Sequence, residues 1–361
     1  MTDIGNADLL RVARQLRGLQ QGDAAQRLGI SQAMLSRVEN KMAGFPSDLI
    51  AKASIVYEMP TTFFMQTDTV YGAPVSVHAM WRKKSAVSAK EMDQIVAELN
   101  LRLMHLRRLL QAVEVETNYD VPSLITDEFP VERIAALVRA NWKLPAGPIS
   151  NLTRALEAAG VVVVHSEMAG SAVDGVTFAV PGLPPLIVLN IAQPADRMRW
   201  TLAHELGHLV MHRTQPTSEM EKEANDFASN LLMPAQDIKL YFQGRIDLRL
   251  LARLKPLWRV SMASLLMRAK GLGVLRNNQE RYLWQQFSSA NIRHSEPPEL
   301  NFERETPTVM PELFETHIRQ LGYPIADLAA MLHSRPEGLR TLYGLGNVST
   351  GPGASHLRIV K

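Results

Sequence analysis

The sequence predicts a mainly α protein with a small β-sheet, of the α+β class. An all-α N-terminal module (1–70) precedes a central domain (75–240), a helical C-terminal region (241–346) and a flexible tail (347–361). Three observations carry this expectation. Apolar residues recur at helical spacing through most of the chain, as in helices that bury one stripe. Valine- and isoleucine-rich runs, which favour pleated, buried strands, are confined to residues 160–191. The 361 residues are 46% hydrophobic, ordinary for two or three globular domains. No apolar run approaches the ~18 residues of a membrane span, so no membrane partner is expected. Met1-Thr2-Asp3-Ile4-Gly5-Asn6 lacks a basic stretch leading into an apolar core; no signal peptide is expected, and the expected location is cytoplasmic. There is no cysteine, so disulfides are excluded and any metal must be held by His and carboxylate side chains.

Residues 7–20 form the first helical pattern, with Leu9, Leu10, Ala13 and Leu16 in register. A short helix then ends at Leu28-Gly29, where glycine permits a left-handed turn. Ser31 caps the next helix and places Met34 (or Leu35) and Val38 inward, which is helix-turn-helix geometry. Gln21, Leu28-Gly29-Ile30-Ser31 and Leu35-Ser36-Arg37-Val38-Glu39-Asn40 resemble the Cro/C1 (XRE) repressor family over about residues 8–66. The resemblance implies a double-stranded DNA operator as partner, with Gln32, Ala33, Ser36 and Arg37 facing the major groove and Gln21 near a phosphate. The module departs from that pattern in its charge: residues 1–70 carry seven basic and seven acidic side chains, without the basic footprint that phosphate affinity favours. Weak binding by one copy, hence a homodimer on two half-sites, is the expectation; the other reading is a helical bundle that docks protein.

Residues 61–74 are mixed and turn-prone, and Trp81-Arg82-Lys83-Lys84 joins a basic patch to an aromatic, either a solvated linker or a contact with substrate or DNA. Residues 88–114 predict a long amphipathic helix through Ile95, Leu99, Leu103 and Leu106, with Ser88 and Glu91 as a capping box. Helices over 130–142 and about 148–160 follow. Strands are expected at 160–167, 175–180 and 185–191, the last two separated by the turn Pro181-Gly182-Leu183-Pro184. Such a sheet can take a peptide by adding its backbone as an extra strand. His165 and Asp174, near strand ends, receive no role.

The chemistry centres on His204-Glu205-Leu206-Gly207-His208. Leu202, Ala203, Leu206, Leu209 and Val210 repeat around it at helical spacing. Two histidines four apart share one helix face and can reach one ion, while Glu205 can act as general base toward a water held there. A catalytic zinc takes a third protein ligand. Residues 219–234 supply three candidates on a second amphipathic helix, whose apolar stripe is Ala224, Phe227, Ala228, Leu231 and Leu232 and whose stop is Pro234. At roughly 100° per residue, Glu221 lies about 50° from the middle of that stripe, Glu223 roughly 110° and Glu219 about 150°. A carboxylate near a buried face needs a partner, which selects Glu221 as the third ligand; Asn225, one turn on, can hold a ligand histidine. The competing reading is a solvated acidic helix start.

Arg199-Trp200-Thr201-Leu202-Ala203-His204-Glu205-Leu206-Gly207-His208, His212, the segment from Glu221 to Pro234 and the upstream Leu186-Ile187-Val188-Leu189-Asn190 resemble the ImmA/IrrE family of zinc metallopeptidases, over roughly residues 75–240. That resemblance implies a gluzincin-like site: Zn2+ held by His204, His208 and Glu221, with Glu205 as catalytic base. It also implies a helix-turn-helix repressor as the class of protein substrate.

The remaining residues are less telling. Ser261 caps a helix after Trp258-Arg259-Val260, 296–299 begins a polar linker, and 325–332 is a packing helix or an imperfect second helix-turn-helix. Residues 239–293 carry eleven basic against two acidic side chains, and 296–315 six acidic against one basic. The first stretch is either a solvated face or a grip on nucleic acid or an acidic partner. Two functional expectations result: a DNA-binding regulator with a zinc endopeptidase acting on a repressor or related regulatory protein, or a transcription factor whose zinc-type domain senses a ligand or partner without cutting. An antitoxin-like repressor is a variant of the second.

Overall fold

In the computed structural model, which describes residues 5–74, 88–168, 173–212, 217–293, 295–345 and 357–360, the N-terminal module is built around one tight turn. Helix α1 (Ala7–Leu16) starts where Asn6 accepts from the Asp8 amide, and α2 (Gln21–Leu28) stops at Gly29, whose φ of 68° is the left-handed region. Ser31 then accepts from the Met34 amide at 3.2 Å and opens α3 (Gln32–Glu39). Leu35 and Val38 are buried while Met34 is exposed, so Leu35 is the inward residue. Arg14 grips the buried Glu39 through two bonds of 2.6 and 2.9 Å, tying α1 to the end of α3. Helix α4 (Ser47–Val56) and a 3₁₀ turn (Thr61–Met65) close this core with Phe45, Phe63 and Phe64.

The long helix α5 (Ala89–Leu109) has the capping box expected at Ser88 and Glu91. Its two faces serve different cores. Ala97, Leu101 and Met104 pack into the N-terminal module, whereas Ile95, Leu99, Leu103 and Leu106 pack toward the sheet. Asn100 also clamps the Tyr71 backbone, accepting from its N–H at 2.7 Å and donating to its C=O at 2.9 Å. The segment before residue 75 is thereby fastened to α5. The Trp81-Arg82-Lys83-Lys84 motif lies outside the described residues.

Strand β1 (Val113–Val115) is followed by α6 (Val131–Asn141) and α7 (Leu152–Ala158), then by β2 (Val162–Ser166), β3 (Gly175–Phe178) and β4 (Leu186–Asn190). The last three form a sheet of order β2-β4-β3, with β2 and β4 parallel and β3 antiparallel to β4. Both faces are covered, which accounts for unbroken valine runs: Val163, Ile187 and Leu189 enter one core, Val162, Val164, Val176 and Val188 the other.

Helix α8 (Ala195–Met211) packs on the first of those faces, and α9 (Met220–Leu232) packs on α8 and α6. This core runs past residue 240, through α10 (Ala235–Ile238), α11 (Leu248–Trp258), α12 (Met262–Gly271) and α13 (Asn277–Ser289), with Trp258, Leu265 and Phe287 buried in it. The α11–α12 turn repeats the one at Gly29: Arg259 is left-handed (φ 53°) and Ser261 accepts from the Ser264 amide at 3.0 Å. Here Met262, Leu265 and Leu266 are buried, so this copy of the turn packs the core. The basic stretch is also partly interior. Lys255 is buried between Asp196 and Glu296, and Arg268 donates to the Met233 carbonyl and Asn230. Glu305 of the acidic stretch pairs with the buried Arg199.

Helices α14 (Val309–Glu315), α15 (Ile325–Met331) and α16 (Pro336–Tyr343) return to the far side of the sheet and to α5. His105 of α5 lies 2.9 Å from both the Ser334 hydroxyl and the Tyr343 hydroxyl, and Arg335 donates to the Ser54 carbonyl at 2.9 Å. The pair α15–α16 is therefore docked on α5 and the N-terminal module. Part of the expected flexible tail forms a strand: β5 (Leu357–Ile359) pairs antiparallel with β1, and Leu357, opposite Val115, packs against the apolar core. Among the described residues no helix is long and apolar enough to cross a membrane.

Candidate metal centre

The period of α8 puts His204 and His208 one turn apart and His212, its C-terminal cap, one turn further. Gly207 lets α9 come close. A Cβ there would lie 3.1 Å from a Phe227 ring carbon and 3.3 Å from the Ala224 Cα. That approach carries Glu221 to the histidines: His208 Nε2 is 3.1 Å from His204 Nε2 and 3.2 Å from Glu221 Oε1, and His204 Nε2 is 3.9 Å from Glu221 Oε2. The three ligand atoms lie within 4.8 Å of one another. A tetrahedral ion with bonds of about 2.0–2.1 Å sets its ligand atoms about 3.3–3.4 Å apart, so this group could hold a metal ion with little movement. Replacing Gly207 by Val should force α9 outward; an overpacking loss of about 1–3 kcal/mol is expected in urea unfolding of the metal-free protein, with weaker metal binding.

The surroundings suit neutral donors. Burial, reinforced by His208, pushes the His204 imidazole down to about 4, which leaves one of its two ring nitrogens without a proton at neutral pH. Asn225 lies one turn beyond Glu221 on α9, where its Nδ2 donates to the Glu221 carbonyl at 2.6 Å and its Oδ1 accepts from Trp200 at 3.3 Å. Glu205 is fully buried, and burial raises its pKa above the ordinary carboxylate value. Thr177 of β3 donates to Glu205 Oε2 at 2.7 Å, whereas the buried Oε1 has no hydrogen-bond partner among the described residues. A donor set of two imidazoles and a carboxylate, beside a carboxylate with one idle oxygen, fits a metal-assisted hydrolytic centre.

Two side chains, Thr177 and Glu223, take parts that the sequence did not predict. Thr177 carried a faint signal as the one polar residue in Gly175-Val176-Thr177-Phe178; Gly175 lets that strand approach Thr201 of α8, since a Cβ would sit 2.6 Å from its methyl. Glu223, expected toward solvent, instead meets His212, with Oε2 2.9 Å from Nε2. His165 and Asp174 stay outside the centre: His165 lines a small cavity with Arg199 and Glu305, and Asp174 pairs with Arg197 at 2.9 Å. In the N-terminal module Gln32, Ala33 and Arg37 are exposed and Ser36 half-buried. The Gln21 amide donates to Glu39 at 2.8 Å, so its nitrogen serves the interior of the module.

Residues 10–64 match the family model described as helix-turn-helix, and residues 156–270 match that of the IrrE N-terminal-like domain, a peptidase family. The chain joins these two domains. The second match begins inside α7 and runs to the end of α12. It takes in the sheet, the metal centre and the Arg259 turn, and so extends beyond the boundary expected at 240. No curated protein matches the chain.

Proposed function

We propose that this protein is a DNA-binding transcriptional regulator whose IrrE-like domain is a zinc-dependent endopeptidase, acting in the cytoplasm on a repressor or related regulatory protein. The observation that carries this reading is the convergence of His204, His208 and Glu221, with the buried Glu205 between the two histidines on α8. Zinc held there would polarise a carbonyl and lower the pKa of an attacking water. Glu205 Oε1 takes the proton from that water and returns it to the leaving amine. Thr177 holds the other carboxylate oxygen still, so the base presents one oxygen to the reaction. Asn225, held by Trp200 and the Glu221 carbonyl, would orient His204 from α9. The loaded full chain should cut a peptide library in a manner abolished by a chelator, with cleavage read by mass spectrometry. No cutting by fully loaded protein would count against the endopeptidase.

For the DNA half, α3 carries the reading face: Gln32, Ala33, Ser36 and Arg37 address base edges, with the second side-chain N–H of Gln21, beside the one given to Glu39, at a flanking phosphate. The neutral module argues for a homodimer on half-sites. A duplex selected from a random pool by the full chain should be bound more weakly by Arg37→Ala, by about 1–3 kcal/mol, roughly 5–150-fold. Equal affinity at equal salt would remove Arg37 from the interface.

One observation favours the sensing reading. Helix α5 shares side chains with the N-terminal core and with the sheet core, so a change in the sheet core has a direct mechanical route to the DNA-reading module. Under that reading, Glu205→Gln leaves regulation of DNA binding intact.

A further inference from the structure

His208 has two ring nitrogens, and both are engaged. Nε2 faces His204 and Glu221, while Nδ1 lies 2.9 Å from His212 Nδ1. The other His212 nitrogen, Nε2, lies 2.9 Å from Glu223 Oε2. The His212 side chain is 5% exposed and that of Glu223 23%, so this series of contacts is largely shielded from water. One residue of α8, its capping neighbour and the first turn of α9 thus form a continuous polar row ending at the candidate metal position.

The direction of each hydrogen bond follows from counting protons. A neutral imidazole has one N–H, and the nitrogen that ligates a metal must be the other one. With Nε2 toward the metal, His208 carries its proton on Nδ1 and donates to His212 Nδ1. That atom must then accept, so the His212 proton sits on Nε2 and is donated to the Glu223 carboxylate, which accepts only. The opposite polarity fails at the metal: if His212 Nδ1 donates, the His208 proton moves to Nε2 and blocks ligation. The His208 carbonyl already accepts from the His212 amide within the helix.

We propose that His212 and Glu223 are a positioning pair that holds His208 in its metal-ligating tautomer, with Glu223 setting the polarity and His212 transmitting it. The inference rests on the metal-centre reading above and assigns roles to two residues that touch neither metal nor substrate. His208 is thereby oriented from α9, the helix that also brings Glu221.

The test is zinc affinity of the full chain by chelator competition, beside ¹⁵N NMR of the histidine side chains in the zinc-loaded wild type. His212→Leu should weaken zinc by about 10–100-fold, the usual cost of losing a group that orients a ligand. His212→Gln, whose amide oxygen can accept from His208 Nδ1–H, should recover most of that loss; a packing role would not distinguish these two variants by acceptor chemistry. Glu223→Ala should weaken zinc and Glu223→Gln, still an acceptor, should do so less. Should His212→Leu fail to fold, as judged by thermal unfolding of the metal-free protein, the Glu223 pair decides. The NMR spectrum should place the His208 proton on Nδ1 and the His212 proton on Nε2. Wild-type zinc affinity in both His212→Leu and Glu223→Ala, or a His212 proton on Nδ1, overturns the positioning pair while leaving the metal centre in place. A wild type that binds no zinc overturns both.

Discussion

Glu205→Gln should keep zinc at wild-type affinity and lose about 10²–10⁴-fold in peptide hydrolysis, the contribution of a positioned general base. Glutamine has the same shape and can still accept from Thr177, whose hydroxyl lies 2.7 Å from the present Oε2. The lone pair of its amide nitrogen is delocalised into the carbonyl and cannot take up the proton. Glu205 is not among the three converging ligand groups, so binding and chemistry separate cleanly in this variant. The measurement pairs metal content with mass-spectrometric cleavage of a peptide library. Hydrolysis at the wild-type rate by a fully loaded variant would dismiss Glu205 as the base; loss of the metal would mean that the carboxylate is a ligand instead.

His204→Ala and Glu221→Ala should each weaken zinc by at least about a hundredfold, since the four ligands of a closed zinc site share roughly 10–16 kcal/mol. Glu219→Ala should leave affinity unchanged. This comparison uses three carboxylates that are near neighbours in sequence and differ in what they meet: Glu221 the ligand histidines, Glu223 His212, and Glu219 solvent. Calorimetric titration of the full chain reads the difference directly. Zinc should also raise the melting temperature of the wild type, by mass action on the folded state alone, and should not raise that of His204→Ala. Equal losses in all three carboxylate variants would point to a diffuse acidic attraction in place of a defined site.

The legible part of this protein is the part governed by helical period. Two histidines four apart must share a face, and the phase of the apolar stripe on α9 distinguishes Glu221 from Glu219 without any tertiary contact. Ser31, Ser88 and Ser261 announced helix starts because capping is a local exchange between a side chain and the next turn. Failures came where a distant element supplied the partner. Glu223 points away from the stripe of its own helix, yet α8 runs one turn beyond the ligand pair and presents His212 to it. Thr177 reaches Glu205 only because Gly175 allows β3 against α8. A linear count of charge over residues 239–293 merged exposed cations with Lys255 and Arg268, which are buried against carboxylates and carbonyls. The Gly- and Ser-rich tail suggested fraying through its end, but Leu357 and Ile359 flank Arg358 in the alternation of a strand.

Anomalous diffraction at the zinc edge from zinc-loaded crystals tests the central claim most directly. The account predicts one peak about 2.0–2.2 Å from His204 Nε2, His208 Nε2 and a Glu221 carboxylate oxygen, with Glu205 beside it and unligated. A peak elsewhere, or a Glu221 carboxylate turned away from both imidazoles, would contradict it.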